Sequence, residues 1–304
     1  MKRRPSRSPL AFAAAAALLV LSGLTASDST ATAEARSQDT DGLHVAEAST
    51  SRVAGTFAHS ATTIRFDVAA PSAVRAEATI TIGDRKFQAH KDIDAGTAWW
   101  SGGDAALRQD DRDAFTAFTY ALNTAWIEPA NAAKTAVPAH QDLTMRLALL
   151  LAEAPLHVKI GTQDVPRPAE KTGPRQLPEG TPVVDSCARD GIATTTPDTA
   201  ERRRVLLACQ ESNEDGILYT GCNENAWLVH DWDTHCFLGE SIYVGPASYD
   251  CMAKCGNGCF IITGYTYDCG DHDRCNRAHN SNLGGCSDEF WEADDDFLWS
   301  SNQC

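Results

Sequence analysis

The sequence predicts a two-domain protein: a small α+β domain followed by a mainly α, disulfide-rich one. Three observations carry this. Residues 44–163 hold no cysteine and pass from strand-like alternation to helix-like periodicity. All 11 cysteines lie at or after Cys187. A proline-rich stretch separates the two blocks, and 304 residues are long for one domain.

The first 35 residues read as a secretion signal peptide. Lys2, Arg3, Arg4 and Arg7 make a positive start, and Leu10 to Leu24 is apolar but short for a membrane span. Small residues follow at Ala31, Ala33 and Ala35, as at a cleavage site. The alternative is an uncleaved single-span anchor. No later stretch is apolar for long enough to cross a bilayer, so no integral span is expected after signal removal. A dense cysteine block agrees with a secreted, extracellular protein whose cysteines form disulfides. The odd count leaves one unpaired or intermolecular, and Cys187, at the edge of the linker, is the candidate.

Within 44–163, Thr62 to Val68 and Ala78 to Ala89 alternate as strands do, with a hairpin turn at Gly83-Asp84. Phe115, Phe118, Leu122 and Trp126 then fall on one face of a helix over 110–126. A Leu-rich helix is expected over 141–154. No catalytic constellation shows here, because His44, His59, His90, His140 and His157 are isolated in sequence. The unit reads as a possible pro-region, an intramolecular chaperone or a targeting module. Residues 164–184 carry five prolines among charged residues and read as an extended, protease-accessible linker.

The last block, 185–304, is acidic. From Cys187 to Cys304 there are 7 lysines and arginines against 20 aspartates and glutamates, a net of -13 within a chain total of -15. That argues against nucleic acid as a partner, since like charges repel. A helix is expected over 200–210 after Pro197-Asp198-Thr199. Five cysteines lie between Cys251 and Cys275, around a Cys255-Gly256-Asn257-Gly258 loop and the adjacent pair His272-Asp273. Neighbours on a helix point about 100° apart, so this pair serves two tasks rather than forming one dyad. Cys269, His272 and Cys275 recur every three residues and share a helical stripe. Alternating glycines let a loop turn several carbonyls to one centre, and calcium takes such hard oxygen ligands together with a carboxylate.

Cys-Gly-x-Gly followed by Cys-x-x-His-Asp-x-Cys resembles the secreted phospholipases A2. The likeness covers about Cys251 to Cys286. The family's doubled cysteine before the histidine is here Asp268-Cys269, and its tyrosine after the next cysteine is here Asn276. The resemblance implies a phospholipase A2-like fold for 185–304 and Ca2+ held by the carbonyls of Lys254, Gly256 and Gly258 with the carboxylate of Asp273. It implies His272 as the base that draws a proton from water to attack the sn-2 ester of a phospholipid at a lipid interface. It also implies disulfides Cys255–Cys269 and Cys275–Cys286. A second carboxylate should orient the histidine. On a helix from Cys286 to Leu298, Asp294 lies about 40° from Phe290, at the edge of the apolar face, and is the chosen orienter. Two other readings stand beside this one. The block could be a non-catalytic, disulfide-rich binding module. Alternatively, His230 and His235, with Asp231 and Asp233, could hold zinc in a different hydrolase.

Overall fold

The structure is a computed structural model that describes residues 42–168, 217–220, 224–232, 235–245, 251–279 and 286–302. All of them belong to one compact unit, residues 35–304. The signal peptide, residues 169–184 of the linker, Cys187 and the helix expected over 200–210 lie outside the described residues.

Seven strands form one antiparallel sheet in sequence order: β1 (Leu43–Ala48), β2 (Arg52–His59), β3 (Thr62–Ser72), β4 (Arg75–Ile82), β5 (Arg85–Asp92), β6 (Thr97–Ala106) and β7 (Lys159–Asp164). Alternation sets the register. Along β3, Ile64, Phe66, Val68 and Ala70 are buried while the residues between them face solvent, the period of 2 expected of a half-buried strand. Gly83-Asp84 is the two-residue turn joining β4 to β5, and Gly83 takes a φ of +60°, which glycine adopts without a steric cost.

Between β6 and β7 the chain makes α1 (Gln109–Leu122), a π-helical turn (Asn123–Ile127), α2 (Glu128–Ala132) and α3 (Ala139–Glu153). Asp111 folds back to accept the Arg108 N–H at 2.7 Å, which satisfies one of the unpaired donors where α1 begins. Phe115, Phe118, Leu122 and Trp126 are buried as their spacing predicts. Helix α3 is different. Every residue from Leu143 to Ala152 is buried, so it has no solvated face. One side packs on the sheet. The other packs on the disulfide-rich segment.

That segment corrects the expected fold class. The α+β first part is a seven-stranded antiparallel sheet with few helices, and the second part is not mainly α. It contains a hairpin, β8 (Glu224–Trp232) and β9 (His235–Val244), then irregular turns, then α4 (Tyr267–His279), α5 (Ser287–Glu292) and α6 (Asp294–Trp299). The reason is legible after the fact: 224–244 is rich in aromatic and β-branched residues, which favour a pleated sheet. The single helix expected from Cys286 to Leu298 breaks at Ala293, whose ψ of -4° leaves the helical range.

One hydrophobic core runs through both parts, from Phe57, Phe118 and Leu149 to Cys255, Phe260, Phe290 and Phe297. Polar side chains fasten the seam. Arg146 of α3, 5% exposed, donates to the carbonyls of Phe297, Ile262 and Ser300 at 2.7, 2.8 and 2.9 Å. Lys91 Nζ donates to the Leu298 carbonyl at 2.6 Å, and Trp299 Nε1 to the Val165 carbonyl at 2.9 Å. Among the described residues no helix is long and apolar enough to cross a membrane.

Glu153, at the end of α3, gives a pH prediction. Burial pushes its carboxyl up to about 7, against the pull of Arg112 at 3.7 Å. A raised native pKa means the stabilisation is full below pH 4.5 and is lost as pH rises through 7. Glu153→Gln is expected to remove that loss. Between pH 4.5 and 8 the variant should gain about 2–3 kcal/mol on the wild type in urea unfolding. Parallel curves would contradict it.

Candidate functional site

Helix α4 carries the His-Asp pair. Its first turn is held by Thr266, whose buried hydroxyl accepts the Cys269 N–H at 3.3 Å. Three disulfides brace it and the preceding loop: Cys251–Cys259, Cys255–Cys269 and Cys275–Cys286. The last two are the pairings the resemblance implies. They tie the glycine loop to one end of α4 and α5 to its other half. Cys269, His272 and Cys275 form the buried stripe of the helix.

His272 is 3% exposed and lies against the Phe290 ring, with centroids 5.7 Å apart. The Asn276 amide nitrogen, one turn on, sits 3.0 Å from Nε2. Burial pushes the imidazole down to about 3, and the positive charge of Arg112 on α1 adds to this. The ring is therefore neutral at physiological pH, so Nε2 can accept the Asn276 N–H.

Asp273 points elsewhere, as its neighbouring helical position requires. Its Oδ2 accepts the Ala253 N–H at 2.8 Å, which places the carboxylate against the turn before the loop. That turn is held in the left-handed region, with Cys251 at φ 54°, Ala253 at 70° and Gly256 at 107°. Hydroxyl groups take the carbonyls of Cys255 and Asn257, from Thr263 at 2.7 Å and Tyr120 at 3.3 Å. These two carbonyls alternate with the three implied ligands, Lys254, Gly256 and Gly258. The Lys254 ammonium turns away, 4.6 Å over the Tyr265 ring and 3.2 Å from Asn302 Oδ1, and burial lowers its pKa to about 8. A loop of this composition beside a carboxylate suits a hard cation.

The structure does not pair Asp294 with His272. Asp294 Oδ2 accepts Trp100 Nε1 of β6 at 3.1 Å, and burial raises its carboxyl to about 6. The break at Ala293 is the cause: a count at 100° per residue fails across it. The carboxylate that does enter the core is Asp296, fully buried. Neither of its oxygens makes a hydrogen bond of sound geometry, the Thr266 hydroxyl giving it only weak support. Carboxylate oxygens of Asp268 and Asp295 lie within 4.8 Å of it and of each other. Burial first, then this crowding, holds Asp268 and Asp296 well above the usual carboxylate range.

The first part of the chain covers this site, through residues that local spacing could not reveal. A Cβ on Gly256 would lie 2.5 Å from Leu149 Cδ2, so loop and α3 are in direct contact. Thr119 Oγ1 lies 3.2 Å from Asn257 Oδ1, and Tyr120 packs edge-on against Phe260. Trp100 packs against Phe290 and Trp291. The unusual Trp99-Trp100 pair and the apolar stretch Leu147-Ala148-Leu149-Leu150-Leu151 are the signals in the sequence. For the zinc reading, the hairpin register sets His230 opposite Phe237 and Trp232 opposite His235; the side chains of 224–242 lie outside the described residues.

Comparison with known proteins adds nothing to this: no family model, curated protein or solved structure matches the chain.

Proposed function

We propose that this chain is the latent form of a secreted, calcium-dependent phospholipase A2-like ester hydrolase. Residues 43–165 would act as its cover. The proposal rests on the local arrangement of α4 and its loop, and not on the overall fold. The observation that carries it is the fastening of the glycine loop beside α4, with the Asp273 carboxylate at the loop's approach and His272 on the adjacent face.

In this reading Asp273 and the carbonyls of Lys254, Gly256 and Gly258 hold Ca2+. When bound, the ion polarises the ester carbonyl and offsets the oxyanion charge. His272 takes the proton from water as the ester is attacked, and the Gly256 N–H is a further donor to the oxyanion. Asn276 holds the ring in place. With its pKa near 3, His272 is a weak base in the covered state. Taking away residues 43–165 removes the charge of Arg112, one of the two causes of that depression, so the base strengthens as the site opens, with Phe290 still against the ring. The net charge of -15 favours zwitterionic over anionic lipid surfaces.

The test is fatty-acid release from phosphatidylcholine vesicles by the purified chain, before and after limited proteolysis. Release is expected only after cleavage and only with calcium. His272→Gln should lower it by about 10²–10⁴-fold. Calcium binding without release in any state would replace the enzyme with a non-catalytic binding module, a reading that the burial of His272 favours. Release that persists in His272→Gln would remove His272 from the chemistry.

A further inference from the structure

The acidic cluster where α4 meets α6 has no part in the hydrolase chemistry. Asp268 lies in the first turn of α4, and Asp295 and Asp296 lie in the first turn of α6. One carboxylate oxygen from each falls within a single span of 4.8 Å. Acidic residues at a helix start are ordinary, because they offset the helix dipole. Asp296 is not accounted for in that way. It is 0% exposed, and neither of its oxygens has a hydrogen bond of sound geometry. The Thr266 hydroxyl gives it weak support only. A buried anion left in that state is costly. The surroundings add to the cost: Asp296, Asp271, Asp295 and Glu292 all act on Asp268, and all four are acidic. Among the described residues, no lysine or arginine pairs with Asp268 or Asp296.

We propose that Asp268, Asp295 and Asp296 bind a calcium ion that ties the start of α4 to α6. Oxygens spread over no more than 4.8 Å can reach one centre at about 2.3–2.6 Å, the calcium–oxygen distance, with little movement. Asp296 is the buried ligand. Asp268 and Asp295 are half-buried, so the outer side stays open to the waters that complete calcium's roughly six to eight oxygens. The Cys255 and Cys269 sulfurs also lie within 4.8 Å of Asp296, but they are bonded to each other. Oxygen is therefore the ligand type on offer, which suits a hard cation over zinc. The site goes beyond the hydrolase reading and uses none of its residues.

Calcium chloride, titrated by calorimetry into the chelator-treated full chain, tests the assignment in an Asp273→Asn background, which removes the carboxylate of the loop site. Asparagine at 273 can still accept the Ala253 N–H. This parent should bind one Ca2+ with a Kd below about 1 mM. Adding Asp296→Asn or Asp268→Asn should weaken binding about tenfold or more, since affinity follows ligand charge. Asp104→Asn, on a side chain 91% exposed, should leave it unchanged. Urea unfolding gives a second readout, in which the sign reverses. With chelator present, Asp296→Asn should raise the midpoint above the parent's, because one buried like charge is gone. With calcium present the parent should be the more stable, because binding stabilises it alone. Absence of binding by the parent at about 10 mM calcium, binding that Asp296→Asn leaves unchanged, or an order of midpoints that calcium does not reverse would each overturn the proposal. The chain with Asp273 intact should bind two ions if the loop also holds calcium, and one if only the loop reading fails.

Discussion

Arg146→Met is expected to destabilise the whole chain by about 3–5 kcal/mol, the scale of breaking a buried, hydrogen-bonded charge site. Methionine approximates the aliphatic stem, so packing is largely kept and the loss falls on polar contacts. Three carbonyls, of Ile262, Phe297 and Ser300, would lose their donor inside the seam, and Asp142 its closest cation. Unpaired buried acceptors cost more than the net value of the bonds that satisfied them. Urea unfolding followed by far-UV and near-UV circular dichroism measures the effect. Both signals should shift together, because Arg146 joins the sheet's helix to the disulfide segment. A fall in the near-UV signal alone would mean that the two parts unfold independently. Arg52→Met is the control. Arg52 pairs with Asp67 at 2.8 Å, but both side chains are about half exposed, and its loss should leave the midpoint unchanged.

His272→Gln should change the dependence of stability on pH. In the native chain the ring titrates near 3; its ordinary value is 6.5. Below pH 6.5 the unfolded chain takes up a proton that the native chain refuses. Stability is therefore intact above 6.5 and falls as pH drops, until the native ring protonates near 3. Glutamine cannot titrate. From pH 7 to pH 4 the wild type should lose about 3 kcal/mol more than His272→Gln. The raised carboxyls of Glu153, Asp268, Asp294 and Asp296 act in the opposite direction. They are common to both proteins, so the difference isolates the imidazole. Equal pH profiles would mean that His272 is solvated in the native state.

Period and turn chemistry made much of the fold legible. Alternation located β3, β4 and β5, Gly83-Asp84 located their turn, and Phe115 to Trp126 located the buried face of α1 and the turn after it. These signals are local, so sequence carries them directly. The hairpin at 224–244 is hard to read from sequence because its histidines and aspartates suit a ligand set as well as a strand, and its apolar residues do not alternate strictly. The Ala293 break leaves no local mark, because alanine is a strong helix former. Across that break Asp294 meets Trp100 and Asp296 enters the core. The cover over the glycine loop has only indirect marks in the sequence, Trp99-Trp100 and the apolar stretch 147–152, and neither names its partner. Thr119, Tyr120 and Leu149 meet Asn257 and Gly256 across more than a hundred residues of chain, and no spacing rule records such a meeting.

The buried guanidinium of Arg146 also bears on the order of events during synthesis. Its helix is complete once residue 153 has been made, yet its carbonyl partners lie between residues 262 and 300. Until those emerge from the ribosome, α3 has a leucine-rich flank with nothing to dock against and a cation partnered by Asp142 of its own helix. The sheet can pair strand by strand and is whole once β7 has been made, but the flank of α3 that meets Cys255, Phe260 and Phe297 stays uncovered until those residues follow.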